Sequence, residues 1–316
     1  MKKLVFFFAL FSIQVFAQNF SRVDSIVKTY PRYRAPQQLA ARISSDFSSD
    51  IDKVRASFKW ITNNIRYSMD YYFHNQRTVR YSYSNEKERQ IALQKIRDQI
   101  VNKAFTTKTG VCEEYAQSLK KLCDLLDIEA IVLKGYVKNS ADEIAKIPKD
   151  TNHAWNVVKI QNKWILIDAT WAAGYVLNGK WKKAFSNYFF NIPKDKIALT
   201  HFPSDKKWQL LLNYSALGDF YNQPIYHQQL LDFNLRLKSP TEGIIAPKHN
   251  VIILKLENLL PNIALRYHFK GERYSKKPKI TYEGKNATLI IPAPYANTEL
   301  YLYMNNGIIL EYKVVI

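Results

Sequence analysis

The sequence predicts an α+β fold in which a helix beginning at Cys112 packs on an antiparallel sheet, followed by a carboxy-terminal β-sandwich-like region. Three observations predict it. Apolar residues recur at three- and four-residue steps through Ile51, Val54, Phe58, Ile61 and Ile65, and again through Ala116, Leu119, Leu122, Cys123 and Leu126. Strand-like runs follow over 129–137, 153–160 and 164–171. After about residue 225 the texture changes to five to seven short runs divided by Gly, Pro and Asn, as an antiparallel sandwich requires.

Taken in order, Lys2-Lys3 precede an apolar run from Leu4 to Phe16, and Val15-Phe16-Ala17 fits a small-residue cleavage site. Residues 1–17 therefore read as a signal peptide, and the protein is expected to be exported to the periplasm or beyond. The run is shorter than the roughly 20 residues a membrane span needs, and no later segment is apolar enough to cross a bilayer. Residues 18 to about 35 read as a variable lead-in, 36–65 as helical with Ser49 or Asp50 as a cap, and about 71–100 as an insertion. That insertion holds a polar, aromatic stretch and then a charged helix from about Glu86 to Val101, lying over or beside the site. The helix from Cys112 is expected to run to about Asp127, and the first domain to occupy 18–224, with a β-rich domain over 225–316.

Bulk properties set limits. The 316 residues are 47% hydrophobic, enough to bury a sizeable core and to exclude general disorder. The formal net charge of +19 favours anionic partners. The basic residues are scattered in pairs such as Lys276-Lys277, which is a basic surface and not a nucleic-acid footprint. No metal-ligand spacing, calcium loop or phosphate-binding glycine loop is present, so no metal or cofactor is implied. The two cysteines, Cys112 and Cys123, lie on one predicted helix about 16 Å apart, beyond disulfide reach. Cys123 reads as a small buried apolar residue.

Three short segments carry the chemistry. Thr109-Gly110-Val111-Cys112-Glu113-Glu114-Tyr115-Ala116 puts a thiol at a helix start, where a cysteine is most readily activated. Asn152-His153-Ala154-Trp155-Asn156-Val157 opens a strand with an imidazole, and Trp164-Ile165-Leu166-Ile167-Asp168-Ala169-Thr170-Trp171 carries a carboxylate on the next one. A hairpin loop over 160–163 sets His153 opposite Thr170. Asp168 is then a diagonal neighbour at about 7–8 Å between backbones, on the same face. A buried carboxylate needs a partner, and the imidazole supplies one. Nucleophile, base and orienting group are the minimum set for covalent acyl transfer.

These three segments resemble the transglutaminase-like superfamily of papain-fold cysteine enzymes. Flanking text, Lys53-Val54-Arg55-Ala56-Ser57-Phe58-Lys59-Trp60-Ile61 and the region of Tyr188-Phe189-Phe190, His201-Phe202-Pro203 and Trp208-Gln209-Leu210, is similar to the secreted bacterial relatives of kyphoscoliosis peptidase. The resemblance covers about 36–213 and implies a papain-like transglutaminase core with Cys112 as nucleophile, His153 as base and acid, and Asp168 as the orienting group. It implies a backbone N–H of Cys112 as one oxyanion donor and Trp60 as a candidate for the second. His201 is read as holding a structural hydrogen bond. The implied activity is attack on a peptide or amide carbonyl through a thioester acyl-enzyme, with hydrolysis preferred over crosslinking. The partner expected is a protein or peptide, with cell-wall or surface peptides among the candidates. A non-catalytic binding or assembly module, and a basic binder of anionic wall polymers, are the readings from other classes.

Overall fold

The computed structural model describes residues 19–69, 82–177, 179–214, 216–305 and 307–316. The leader expected over 1–17 and part of the expected insertion lie outside these residues.

The chain enters through a helix, Ser21–Lys28, where the sequence reading expects only a variable lead-in. Two buried valines, Val23 and Val27, form its inner stripe. Two turns are too few to register as a period, but Asp24 fixes the helix to the next layer. Its carboxylate accepts both arms of the buried Arg55 guanidinium at 2.8 Å, a bidentate geometry that makes a strong ion pair. The helical stretch expected over 36–65 is two helices, Pro36–Asp46 and Asp50–Asn64. Phe47 turns extended between them, and the Ser49 hydroxyl caps the second by accepting from Asp52 N–H. A charged helix, Glu86–Thr107, follows, capped by Asn85 and ended by Lys108 in a left-handed conformation.

The helix Cys112–Leu125 lies at the centre of the first core. Its Tyr115, Leu119, Leu122 and Cys123 are buried against Trp60, Trp155 and Val157. Behind it stands an antiparallel sheet in the order Lys163–Ile167, His153–Ile160, Ala130–Val137, His201–Pro203. The first two strands are joined by a turn at Gln161 and Asn162, both with positive φ (48° and 61°), and their ladder pairs Ile160 with Lys163 and Asn156 with Ile167. Two left-handed residues match the twist of a tight hairpin.

A second core uses residues from Tyr226 to Val314. Two sheets enclose it: Arg236–Ser239, Val251–Glu257, Asn286–Pro292 and Lys279–Glu283 on one side, and Ile244–Ile245, Gly307–Val314, Thr298–Met304 and Leu265–Phe269 on the other. Strict alternation puts Ile252, Leu254 and Leu256 inside, facing Leu300, Leu302 and Leu310 from the second sheet. The fold is α+β, with antiparallel sheets filling the carboxy-terminal region.

The two cores meet at a small junction of Ala141, Ile144 and Ile225. Buried Glu311, on the strand Gly307–Val314, accepts from Ala141 N–H at 2.9 Å and pairs with His227 at 2.7 Å. Lys313 donates to the Ile144 carbonyl. Lys138, also buried, donates to the carbonyls of Gln223 and Pro224. Among the described residues no helix is long and apolar enough to cross a membrane.

Candidate active site

Cys112 is the first residue of its helix and is half-buried. The turn that delivers it is built by Glu114, whose buried carboxylate folds back to accept Val111 N–H at 2.9 Å. That fold-back explains Gly110: a Cβ there would sit 2.4 Å from the Cβ of Glu114. With Val111 satisfied by Glu114, the Cys112 N–H is left as a helix-terminal donor without an intrahelical acceptor. Its place at the positive end of the dipole suits a developing anion. The helix itself is held by Tyr115, whose hydroxyl donates to the Ile65 carbonyl at 2.6 Å, and by Asn156, whose amide donates to the Ala116 carbonyl at 3.0 Å.

His153 begins its strand opposite Gly135. The entry is fixed by Asn152, whose side chain pairs with both the N–H and the carbonyl of Val137 at 2.9 Å while its own N–H donates to Gly135. The imidazole is buried, with Trp155 stacked at 6.0 Å and Trp171 tilted at 5.7 Å. Its Nε2 lies 2.6 Å from Asp168 Oδ2, and Cys112 lines the same cleft as the ring. With Nε2 committed to the carboxylate, Nδ1 is the nitrogen left free for another partner. Burial disfavours a charged ring, but Asp168 and Cys112 outweigh it and hold the His153 pKa well above its usual range.

Asp168 corrects one expectation. The strand ends at Ile167, and Asp168 is the amino-terminal cap of a short helix, Ala169–Ala173. Its Oδ1 accepts from the N–H groups of Thr170 and Trp171 at 2.8 and 2.9 Å. Its Oδ2 takes His153 at 2.6 Å and His201 at 3.0 Å. Four hydrogen bonds fill the carboxylate's acceptor sites. Burial pushes this acid's pKa up, but the two imidazoles prevail and hold it well below the usual carboxylate range.

His201 holds a structural hydrogen bond, as expected, and its partner is Asp168. Its Nε2 reaches the same oxygen as His153, and Thr200 Oγ1 stands 2.8 Å from its Nδ1. Complete burial lowers its pKa against the pull of Asp168, so the ring is neutral and donates to the carboxylate while accepting from the threonine. The signal that it belongs here is the strand pairing of Val137 with His201, which no local pattern contains. Gly135 permits the approach, because a Cβ there would lie 2.1 Å from the Phe202 carbonyl. His153, Asp168 and His201 offer ligand atoms within 4.8 Å of one another. Asp168 Oδ2 is already at direct hydrogen-bond distance from both imidazoles.

Trp60, the candidate second oxyanion donor, does not reach this cluster. It is fully buried, stacked on Phe105 at 5.0 Å, and its indole N–H donates to the Pro31 carbonyl at 3.1 Å. Helical spacing put it on the inner face, and an inner-face tryptophan spends its N–H on the nearest backbone carbonyl. Cys123 is completely buried, with its thiol pKa pushed up to about 12 by desolvation.

Cys112 and His153 open into a cleft of about 1150 Å³. One wall is the helix Glu86–Thr107, presenting Leu93, Ile96 and Ile100, so the charged helix does stand beside the site. The other wall is the strand Ala130–Val137 with the loop 148–152. Lys134 and Glu113 pair at 3.1 Å next to the cysteine.

Residues 37–169 match the family described as the transglutaminase-like superfamily. The chain is 22% identical over 258 residues to human kyphoscoliosis peptidase, covering 81% of this chain and 36% of that protein. It is 23% identical over 231 residues to the Lim and transglutaminase domain protein ltd-1 of Caenorhabditis elegans, covering 68% of this chain and 29% of that one. The chain thus spans about a third of the length of the first of these relatives. A solved structure of a TGase is 19% identical and covers 57% of this chain and 38% of that chain, with a TM-score of 0.27.

Proposed function

We propose that this chain is an exported transglutaminase-like cysteine enzyme that cleaves peptide or amide bonds through a thioester acyl-enzyme. The observation that carries the reading is one imidazole, His153, that shares a cleft with the Cys112 thiol at its helix start and is bonded at 2.6 Å to a saturated carboxylate, Asp168. The raised His153 pKa favours transfer of the thiol proton to the ring. The thiolate then attacks the substrate carbonyl, and the oxyanion is met by the Cys112 N–H at the helix start. His153 returns its proton to the leaving amine as the C–N bond breaks, leaving a thioester on Cys112. Water, deprotonated by His153, attacks the thioester and releases the acid. Asp168 accepts no proton in this cycle; it keeps Nε2 protonated and Nδ1 toward the sulfur.

The test is turnover of a peptide mixture by the wild type beside Cys112→Ala, with mass spectrometry of the products. New carboxyl termini that vanish in the variant support hydrolysis. Products joined through a new amide bond instead identify a crosslinking transglutaminase. A wild type and variant that behave alike overturn the enzymatic reading and leave a binding module.

A further inference from the structure

The wall of the cleft opposite the helix Glu86–Thr107 is a strand with one unpaired edge. The strand Ala130–Val137 pairs with His153–Ile160 along Ala130 to Gly135, but on its other side His201–Pro203 pairs only with Gly135, Tyr136 and Val137. Among the described residues, nothing pairs with Ala130–Leu133 from that side. The direction of the free groups follows from the neighbouring bonds. Lys159 N–H donates to the Glu129 carbonyl and Asn152 N–H to the Gly135 carbonyl, so odd-numbered residues turn their backbone inward to the sheet. Ser204 N–H donates to the Lys134 carbonyl from the opposite side, so even-numbered residues turn outward. Ala130 and Val132 therefore offer both an N–H and a carbonyl from the free edge, and Lys134 offers its N–H.

This edge lies in the cleft, since Ala130, Val132 and Lys134 line it. It also leads to the nucleophile. Gly135 pairs with His153, Lys134 pairs with Glu113 beside Cys112, and the far end of the cleft is lined by Ala130 and Asp124. Five strand residues span about 16 Å, matching the roughly 18 Å of helix from Cys112 to Asp124 that runs alongside. Facing the edge is the apolar stripe of Leu93, Ile96 and Ile100.

Resting on the reading of Cys112 as a nucleophile, we propose that the cleft takes its substrate as an extended polypeptide segment added to the Ala130–Lys134 edge as a further strand. Backbone hydrogen bonds hold the segment at every second residue. Side chains of one parity turn toward Leu93, Ile96 and Ile100, so the site selects for an unfolded, apolar stretch and is tolerant of its detailed sequence. A compact isopeptide or a polysaccharide has no row of backbone groups to satisfy the edge.

The experiment measures alkylation of Cys112 in the full chain by tripeptidyl vinyl sulfones randomised at three positions, and by analogues N-methylated at one amide at a time. N-methylation is expected to slow alkylation at least tenfold at amides of one parity and to have little effect at the other. Val132→Pro removes one outward N–H without touching the ladder to His153–Ile160, and it is expected to abolish that parity difference. Equal effects at every amide, no effect at any, or no member of the library that labels Cys112 would overturn the proposal. Because the parity test is made on the wild type, it stands even where the proline variant does not fold. Iodoacetamide labelling reports the thiol separately. A wild type whose Cys112 resists iodoacetamide overturns the nucleophile reading itself, whereas labelling without parity overturns only the strand addition.

Discussion

His201 places its Nε2 3.0 Å from the Asp168 oxygen that His153 approaches at 2.6 Å. The orienting carboxylate is thus itself oriented, by an imidazole on a different strand and by the first turn of the helix it caps. His201 is a positioning residue, acting on His153 only through Asp168.

A graded loss of activity follows. Asp168→Asn is expected to leave the fold intact and lower kcat by about 10³ to 10⁴, because the imidazole tautomer is no longer fixed. His201→Phe is expected to lower kcat about tenfold and to leave KM unchanged. An imidazole proton shift of His153 that moves in both variants confirms the path through the carboxylate. A His201 variant as damaged as Asp168→Asn would place His201 in contact with the reacting atoms.

The pH profile carries a sign. The His153 pKa is raised in the fold, so its charged form and the stability that form contributes are fully present below the unfolded value near 6.5. Both are lost as pH rises through the folded value. The alkaline limb of kcat/KM is therefore expected well above pH 6.5, and Asp168→Asn is expected to move it back toward that value. Asp168 works in the opposite sense. Its depressed pKa gives stability above about pH 4 that is lost as pH falls through the folded value. A profile whose alkaline limb stays put in the variant would show that another group sets it.

Thiol labelling separates the two cysteines. In the native protein iodoacetamide is expected to modify Cys112 below about pH 8 and to leave Cys123 unmodified, since Cys123 is sealed in the core with its thiol pKa pushed up to about 12. Peptide mapping should show one label per native chain and two after unfolding. Label on Cys123 alone would refute the assignment.

The junction between the cores is expected to matter for the cleft wall more than for the thiol. A chain ending near Asn222 loses Glu311 from Ala141 and Lys313 from Ile144, and exposes Ala141 and Ile144. Its Cys112 is expected to keep its iodoacetamide reactivity while amide exchange over 139–146 quickens at least tenfold. Glu311→Ala in the full chain should reproduce part of that quickening. A truncated but folded chain with an unreactive Cys112 would show that the second core completes the site.

Trp60→Phe is expected to cost about 2–4 kcal/mol, from the lost bond to Pro31 and the cavity left in the core, with turnover unchanged. A large fall in kcat without loss of stability would return Trp60 to the site.

The parts of the site legible in the sequence are those set by local rules. Gly110 before Cys112, an apolar period after it, and a short hairpin of fixed parity are enough to bring Cys112, His153 and Asp168 together. The helix Ser21–Lys28 was hidden because two turns give no period, and its anchor, Arg55, lies 31 residues away. Asp168 reads as a strand residue because Ile165-Leu166-Ile167 precede it, and the cap appears only once Thr170 and Trp171 turn helical. His201 was legible as a histidine and not as a partner, since the pairing that delivers it joins residues 64 apart.

The turn at Gln161 and Asn162 has a consequence for how this family of sequences can change. Both residues already occupy left-handed conformations, so the turn has no slack to absorb an extra amino acid without a bulge. One inserted residue would turn the following strand over and send Asp168 away from both histidines. Two would make a longer loop on the same strand register and preserve its facing. Descendants that keep the chemistry must therefore keep this loop's parity, even though neither turn residue touches the site. A survey of natural variants should find residues tolerant of the left-handed region here, such as Gly, Asn and Asp, and single-residue insertions only with a bulge or where Asp168 has been lost.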